Sequence, residues 1–280
     1  MDVDAYLAER SSLVNRYLDE VVPPASEGPT SLHAAMRHLL FPGGKRLRPA
    51  LAFAGCEAAG SPAEMALPAA AAVELVHTYS LIHDDLPCMD DDDERRGRPT
   101  VHVAFGEAVA VLAGDALLAR AFGVLASGSG DLEPQRRLAA LRELSNAADS
   151  RNLVGGQADD LTFRADSGDA AAIESIHRRK SAALIAASVL TGAGLGGADP
   201  PLLERLRCFA EGVGVAFQIA DDLLDRETGE PCSLVRVLGP QGARARAEEL
   251  LEGALALIDD LGERAEPLRE LARFAVRRSR

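Results

Sequence analysis

Between Asp84 and Glu94 the chain carries seven acidic side chains, and Arg95, Arg96 and Arg98 follow at once. An apolar run with helical spacing, residues 66–81, leads straight into them. Like charges at this density repel one another unless cations hold them, so the helix that delivers them must end where cations can reach. Carboxylate oxygen is the ligand type for hard divalent ions such as Mg²⁺, which bind through a few carboxylates and complete their shell with water and phosphate oxygens. Guanidinium is planar and bidentate and suits phosphate. An acidic run on its own is usually a solvated loop. Here it follows an apolar helix, and a second acidic set, Asp221, Asp222 and Asp225, stands far downstream. Acid followed by base is the layout of a site for Mg²⁺ and a diphosphate.

The remaining composition favours helices. Hydrophobic residues make up 47% of the chain, aromatics only 4%, and there is no Trp. Ala and Leu dominate, and both are strong helix formers. The expected fold is therefore all-α. No Ser/Gly/Pro-rich linker divides the chain, so residues 1–280 read as one domain. A net charge of −13 argues against nucleic acid as a partner. No secretory leader is read at the start. The longest weakly polar stretch, residues 181–197, is broken by glycine and short for a bilayer, so no membrane span is expected. Cys56, Cys88, Cys208 and Cys232 lack C-x-x-C spacing and read as reduced thiols of a cytoplasmic protein. Of 30 basic residues only Lys45 and Lys180 are lysine. An ammonium on a flexible stem is not interchangeable with a guanidinium, and both lysines fall in motif-like stretches.

Helical spacing is read over residues 4–22, 32–40, 51–59, 66–83, 105–125, 135–150, 170–190, 202–224, 243–261 and 266–276. Phe41-Pro42-Gly43-Gly44-Lys45-Arg46-Leu47-Arg48-Pro49 lies between two of them. It reads equally as an anion site and as a basic loop. His77 and Asp84 are seven apart and share a helix face, so His77 suits a core position or a place in the same site. On a straight helix Asp90 would lie about 120° around from Asp84, so the chain must bend near Pro87 for both to serve one site. Gly155-Gly156-Gln157 suggests close helix approach, and Gln157 and Asp160 are candidates to line the site. His177-Arg178-Arg179-Lys180-Ser181 is a basic turn within an apolar helix, with Lys180 its best functional candidate. Asp221 and Asp225 stand one turn apart on one face, with Asp222 beside them and Gln218 one turn earlier.

Taken in order, these motifs resemble those of the trans-polyprenyl diphosphate synthases over nearly the whole chain, with bacterial farnesyl diphosphate synthases the nearest group and geranylgeranyl diphosphate synthases close behind. Gly43 to Pro49 resembles the first substrate motif. Asp84-Asp85-Leu86-Pro87-Cys88-Met89-Asp90, followed by Arg95-Arg96-Gly97-Arg98-Pro99, resembles the first Asp-rich motif in its bacterial form. Gly155-Gly156-Gln157, Lys180-Ser181 and Phe217 to Asp225 resemble the middle, Lys-Thr and second Asp-rich motifs. The resemblance implies an isoprenoid synthase-type bundle of about ten or more helices around a central cavity, usually as a homodimer. It implies that Asp84, Asp85, Asp90, Asp221, Asp222 and Asp225 hold Mg²⁺, three ions per site, and that Asp84, Asp90, Lys180 and Asp221 are central to catalysis. Arg95, Lys180, Ser181 and Gln218 would contact the allylic diphosphate. Lys45, Arg48, His77 and Arg96 would bind isopentenyl diphosphate. Tyr79, five residues before Asp84, and Ser80, four before, would set chain length, and an aromatic there points to a farnesyl product. A straight helix puts Tyr79 about 140° from Asp84, so that assignment rests on the resemblance.

After Asp225 the chain departs from the family. The long loop with a Gly-Lys pair and a later Lys is cut to residues 226–232, and Pro231 stands where the later lysine would be. Geranyl or geranylgeranyl synthesis, or a weakened or regulatory subunit, are the alternatives this leaves. A terpene cyclase is disfavoured, because it needs no second diphosphate site of the Lys45 and Arg95-Arg96 kind.

Overall fold

The computed structural model describes residues 1–127, 132–164, 169–224 and 232–277. These are almost wholly helical, as the composition predicts. Helix α1 (Val3–Val21) is capped by Asp2, whose carboxylate accepts from the backbone N–H groups of Asp4 and Ala5, and it stops before Pro23. Helix α2 (Thr30–Leu40) leads into the Gly43–Arg48 loop. Helix α3 (Leu47–Ala58) starts earlier than its pattern suggests, because Pro49 sits in the first turn, where its missing N–H leaves no hydrogen bond unmade. Helix α4 (Leu67–Asp84) is buried along most of its length.

The bend expected near Pro87 is present. Helix α4 ends at Asp84; Asp85 and Leu86 tighten onto Leu81 and His83, and the Asp90 N–H donates to the Asp84 carbonyl at 2.9 Å. Pro87 has no N–H to continue the ladder. A small hairpin follows that the sequence reading did not foresee. Strands β1 (Glu94–Arg95) and β2 (Arg98–Pro99) pair antiparallel, and the two residues between them, Arg96 and Gly97, both have positive φ. That is the turn whose twist matches a two-residue hairpin. Arg98 donates to the Phe41 carbonyl and His38 bonds Pro99 O at 2.8 Å, which ties the hairpin to the end of α2.

Helices α5 (Val101–Phe105), α6 (Glu107–Ser127), α7 (Pro134–Ala148) and α8 (Leu153–Thr162) come next. Helix α9 (Ala170–His177) runs through one π-helical turn, Arg178–Ala182, into α10 (Ala183–Leu195). Helix α10 is apolar on all sides and is accordingly the central helix. It meets α3 backbone to backbone. A Cβ on Gly192 would fall 1.8 Å from Ala52 O, and one on Gly55 would fall 2.3 Å from Val189 O. Only glycine permits that approach. Helices α3 and α10 each give one face to a cluster with α11 (Pro200–Leu224), α12 (Leu234–Ala256) and α13 (Glu266–Arg277), and the other face to a cluster with α1, α2, α4, α6 and α7.

Helix α12 corrects the sequence reading at both ends. It begins at Leu234, capped by Ser233, with a short first segment, and is kinked at Gly239-Pro240, where the Gly239 backbone is non-helical with φ of 68°. It ends at Ala256, and a 3₁₀ turn with left-handed Gly262 replaces the last turns expected up to Leu261. The longest apolar helical stretches are also not residues 181–197. Segments 63–84 and 107–127 are long and apolar enough to cross a membrane, but the first is 72% buried inside the protein, and the second only 39%.

Candidate active site

Two cavities meet behind the end of α4, sharing Arg48, His77 and Leu81 as a common wall. The larger, about 700 Å³, is polar. Lys45, Arg48, His77 and Arg96, the four residues assigned to isopentenyl diphosphate by resemblance, all line it, with Arg95, Gln218 and Asp221. The smaller, about 410 Å³, is mostly apolar. Asp84, Lys180 and Ser181 stand at its polar end, and Tyr79, Ser80 and Leu184 line its apolar walls. Both Tyr79 and Asp84 face this cavity despite their angle on a helical wheel. The cavity's breadth, which also reaches His83 and Met89, spans that angle.

The Gly43–Arg48 loop and the β1–β2 hairpin interlock. A Cβ on Gly44 would fall 2.8 Å from the Arg96 guanidinium, so Gly44 lets the two chains close on one another. Lys45 reaches out to within 5.5 Å of the Phe274 ring on α13, and Arg48 Nη1 lies 3.4 Å from His77 Nε2. Burial, reinforced by the neighbouring Arg48 and Arg96, holds the His77 imidazole well below its ordinary pKa. His77 is therefore neutral at pH 7, and Nε2 serves as an acceptor beside the arginine.

At the other end, Lys180 sits in the π-helical turn. A Cβ on Gly156 of α8 would fall 2.4 Å from Lys180 N, so Gly156 sets the height of that backbone. The ammonium pairs with Asp160 and lies near Asp84 and Asp90. Burial opposes its charge, but these carboxylates override burial and the pKa is raised. Burial lifts Asp84 to about 7, and raises Asp85 and Asp90 as well. Arg95 donates to Asp85 Oδ1 at 2.6 Å and to Asp92 Oδ2 at 3.1 Å. Ser181 donates to Gln218 Oε1 at 2.5 Å, and Gln218 donates in turn to Asp222 Oδ1 at 3.0 Å. That chain of bonds fixes the second Asp-rich helix to the turn that carries Lys180.

The acids are not equivalent. Asp84 and Asp221 face the cavities, whereas Asp85 and Asp222 line neither of the two. Asp85 is buried with Oδ2 unpartnered; Asp222 is turned toward His177, whose Nε2 is 3.7 Å away. Asp225 lies outside the described residues, as do residues 226–231. Among the described residues no three His, Cys, Asp or Glu side chains converge on one point to cage a metal. Mg²⁺ binds through one or two carboxylates and keeps oxygens of water and phosphate. Half-buried Asp84 and the Asp85 and Asp222 oxygens that lack a hydrogen-bond partner are the donors such an ion would satisfy. Asp84 and Asp221 would hold it nearest the cavities; Asp90 lines neither but stands near Lys180, as Asp84 does.

Sequence reasoning missed Glu74, Phe274 and the apolar wall residues Leu153 and Leu161. Glu74 did have a signal: it is the one acid within the apolar residues 66–81. Phe274 had none, since α13 lies far along the chain.

Comparison with known proteins points the same way. A family model described as polyprenyl synthetase matches residues 29–232. The chain is 42% identical over 297 residues to the heterodimeric geranylgeranyl pyrophosphate synthase large subunit 1, chloroplastic, of Arabidopsis thaliana, covering 99% of this chain and 80% of the relative. It is 41% identical over 289 residues to the chloroplastic geranylgeranyl pyrophosphate synthase of Capsicum annuum, covering 98% and 78%. A crystal structure of an FPP/GFPP synthase from Zymomonas mobilis superposes with a TM-score of 0.90 at 38% identity, covering 98% of this chain and 99% of that one. The helical bundle, the paired cavities and these matches agree: the chain belongs to the polyprenyl synthetase family, and it is a trans-prenyltransferase.

Proposed function

We propose that the protein condenses isopentenyl diphosphate with dimethylallyl or geranyl diphosphate and releases farnesyl diphosphate. The observation that carries this is the shared wall: a basic cavity and an apolar cavity meet at Arg48 and His77, with Tyr79 lining the apolar one. Lys45, Arg48 and Arg96 bind the diphosphate of isopentenyl diphosphate in the larger cavity, beside neutral His77. Lys180 and Ser181 at the polar end of the smaller cavity, with Arg95 and Gln218 on the adjoining wall of the larger one, orient the allylic diphosphate, and its hydrocarbon tail lies along Leu184 toward Tyr79. Asp84 and Asp221, with the other acids of the two Asp-rich motifs, would hold magnesium, three ions per site, whose positive charge would stabilise a departing diphosphate. The apolar walls exclude the water that would quench an allylic cation. No protein nucleophile is needed.

A geranylgeranyl product is the second reading, favoured by relatives that carry that name at 41–42% identity. We also assign a homodimer and a cytoplasmic location. Val111 and Leu112 of α6 are 40% and 55% exposed, and Asp115, exposed in the middle of the same helix, suits a protein partner better than a bilayer. The four cysteines are free thiols, which supports a reducing compartment.

The test is incubation with Mg²⁺, isopentenyl diphosphate and each allylic primer in turn, followed by product analysis. A C15 diphosphate supports the reading and a C20 product transfers it to the second. A prenyl product formed without isopentenyl diphosphate would overturn both.

A further inference from the structure

Arg46 stands between Lys45 and Arg48 in the lining of the larger cavity, yet its guanidinium is bonded into the protein. Its backbone is left-handed, with φ of 53°, and it is 3% exposed. Each nitrogen of the guanidinium is already engaged. Nε donates to Asn15 Oδ1 of α1 at 2.9 Å, Nη1 to Glu74 Oε1 of α4 at 2.5 Å, and Nη2 to the Leu40 carbonyl at the end of α2 at 2.5 Å. Glu74 is 2% exposed and lies on α4 one turn before His77. The loop is wrapped on this guanidinium so closely that a Cβ on Gly43 would fall 2.2 Å from Nη2.

We infer that Arg46 and Glu74 are positioning residues for the homoallylic diphosphate: the pair pins the Gly43–Arg48 loop to α1, α2 and α4 and so sets where Lys45 and Arg48 stand. This rests on the larger cavity being the isopentenyl diphosphate site. Two physical effects combine. The three-point anchor selects the left-handed backbone at Arg46, which a non-glycine residue adopts only when its surroundings impose it. Glu74 also brings one negative charge under a group of cations, Arg46, Arg48 and Arg96, that would otherwise repel one another before any substrate arrives. Neither residue has to touch substrate. Arg46→Lys keeps the charge but can reach only one of the three acceptors, because ammonium is a point donor and guanidinium a fork.

The experiment measures KM for isopentenyl diphosphate, KM for the allylic primer and kcat for Arg46→Lys, Glu74→Gln and Asn15→Ala, with Lys45→Ala as reference and circular dichroism to verify folding. Arg46→Lys and Glu74→Gln are expected to raise KM for isopentenyl diphosphate roughly tenfold, the scale of one hydrogen bond to a charged group, and to leave the allylic KM within about twofold. Asn15→Ala removes a single anchor bond from a residue outside the cavity lining and should raise the same KM about three- to fivefold in a folded protein. It keeps the inference testable if the other two fail to fold. If Lys45→Ala raises that KM and folded Asn15→Ala does not, the inference is wrong while the site assignment stands. If Lys45→Ala leaves it unchanged, the site assignment itself fails. Equal changes in both KM values across the folded variants would mark a merely structural role and also overturn the inference.

Discussion

The height of Lys180 above the acids is set by a hydrogen atom, the side chain of Gly156, and Gly156→Ala tests how much depends on it. A methyl there would fall 2.4 Å from Lys180 N, 2.7 Å from its Cα and 2.9 Å from the Arg179 carbonyl carbon, all of it backbone that cannot swing aside. Ordinary contact begins near 3.4 Å, so α8 and the π-helical turn must part by about 1 Å. Overpacking of this kind costs about 1–3 kcal/mol, against a gain of about 1 kcal/mol from replacing a helical glycine. Stability should thus fall by no more than about 2 kcal/mol. The effect on rate should be larger, since a misplacement of about 1 Å in a group that orients substrate can cost about a hundredfold. The assay is kcat with Mg²⁺ and saturating substrates beside thermal unfolding, with Gly123→Ala as control. Gly123 lies inside α6 with nothing near its missing Cβ, so alanine there should stabilise by about 0.5–1 kcal/mol and leave kcat unchanged. A Gly156→Ala enzyme within twofold of the parent kcat would refute the view that this contact places Lys180.

Other expectations follow from the same geometry. Tyr79→Ala should lengthen the product by opening the apolar cavity; chromatography of the dephosphorylated prenols reads the result, and an unchanged spectrum would remove Tyr79 as the limiting wall. Gly192→Ala, which drives a methyl to 1.8 Å from Ala52 O, should destabilise the fold by about 3 kcal/mol or more, seen as a drop in Tm or as insoluble protein. Burial raises the Asp84 carboxyl from 3.8 to about 7, so the folded chain binds a proton there that the unfolded chain has released. This carboxyl therefore favours the folded state at low pH, and in excess chelator its contribution to stability should fall as pH climbs from 4 to about 7, then level off. Asp84→Asn should remove that component. Matching Tm profiles for the two proteins between pH 5 and 8 in chelator would contradict the assignment.

The fold class was readable because it follows from composition and periodicity, which every helix expresses locally. So was the bend after Asp84, because proline acts on its immediate neighbours. The starts of α3 and α12 were not, because Pro49 is harmless in a first turn and the kink at Gly239-Pro240 hides the short helical segment before it. Lys45, Arg48, His77 and Arg96 were found by motif and do converge on one cavity. The difference between Asp221, which faces that cavity, and Asp222, which faces His177, escaped the sequence, since neighbouring residues on a helix carry no mark of which side is inward. Glu74 and Arg46 escaped for a related reason: a buried ion pair looks in sequence like any acid and base 28 residues apart.

The π-helical turn has a consequence for how the gene can vary. Helices α9 and α10 would be one continuous helix but for the extra residue that the turn at Arg178–Ala182 accommodates. Loss of a single codon there would not break the helix; it would knit the two halves into regular α geometry. Everything on one side of the deletion would rotate by about 100° relative to the other. Lys180 and Ser181 would leave the cavity while α9 and α10 remained well formed. An in-frame deletion at this turn is thus expected to yield a helical, expressible protein with its reactive end dismantled, a change that alignment gaps would reveal more readily than any substitution.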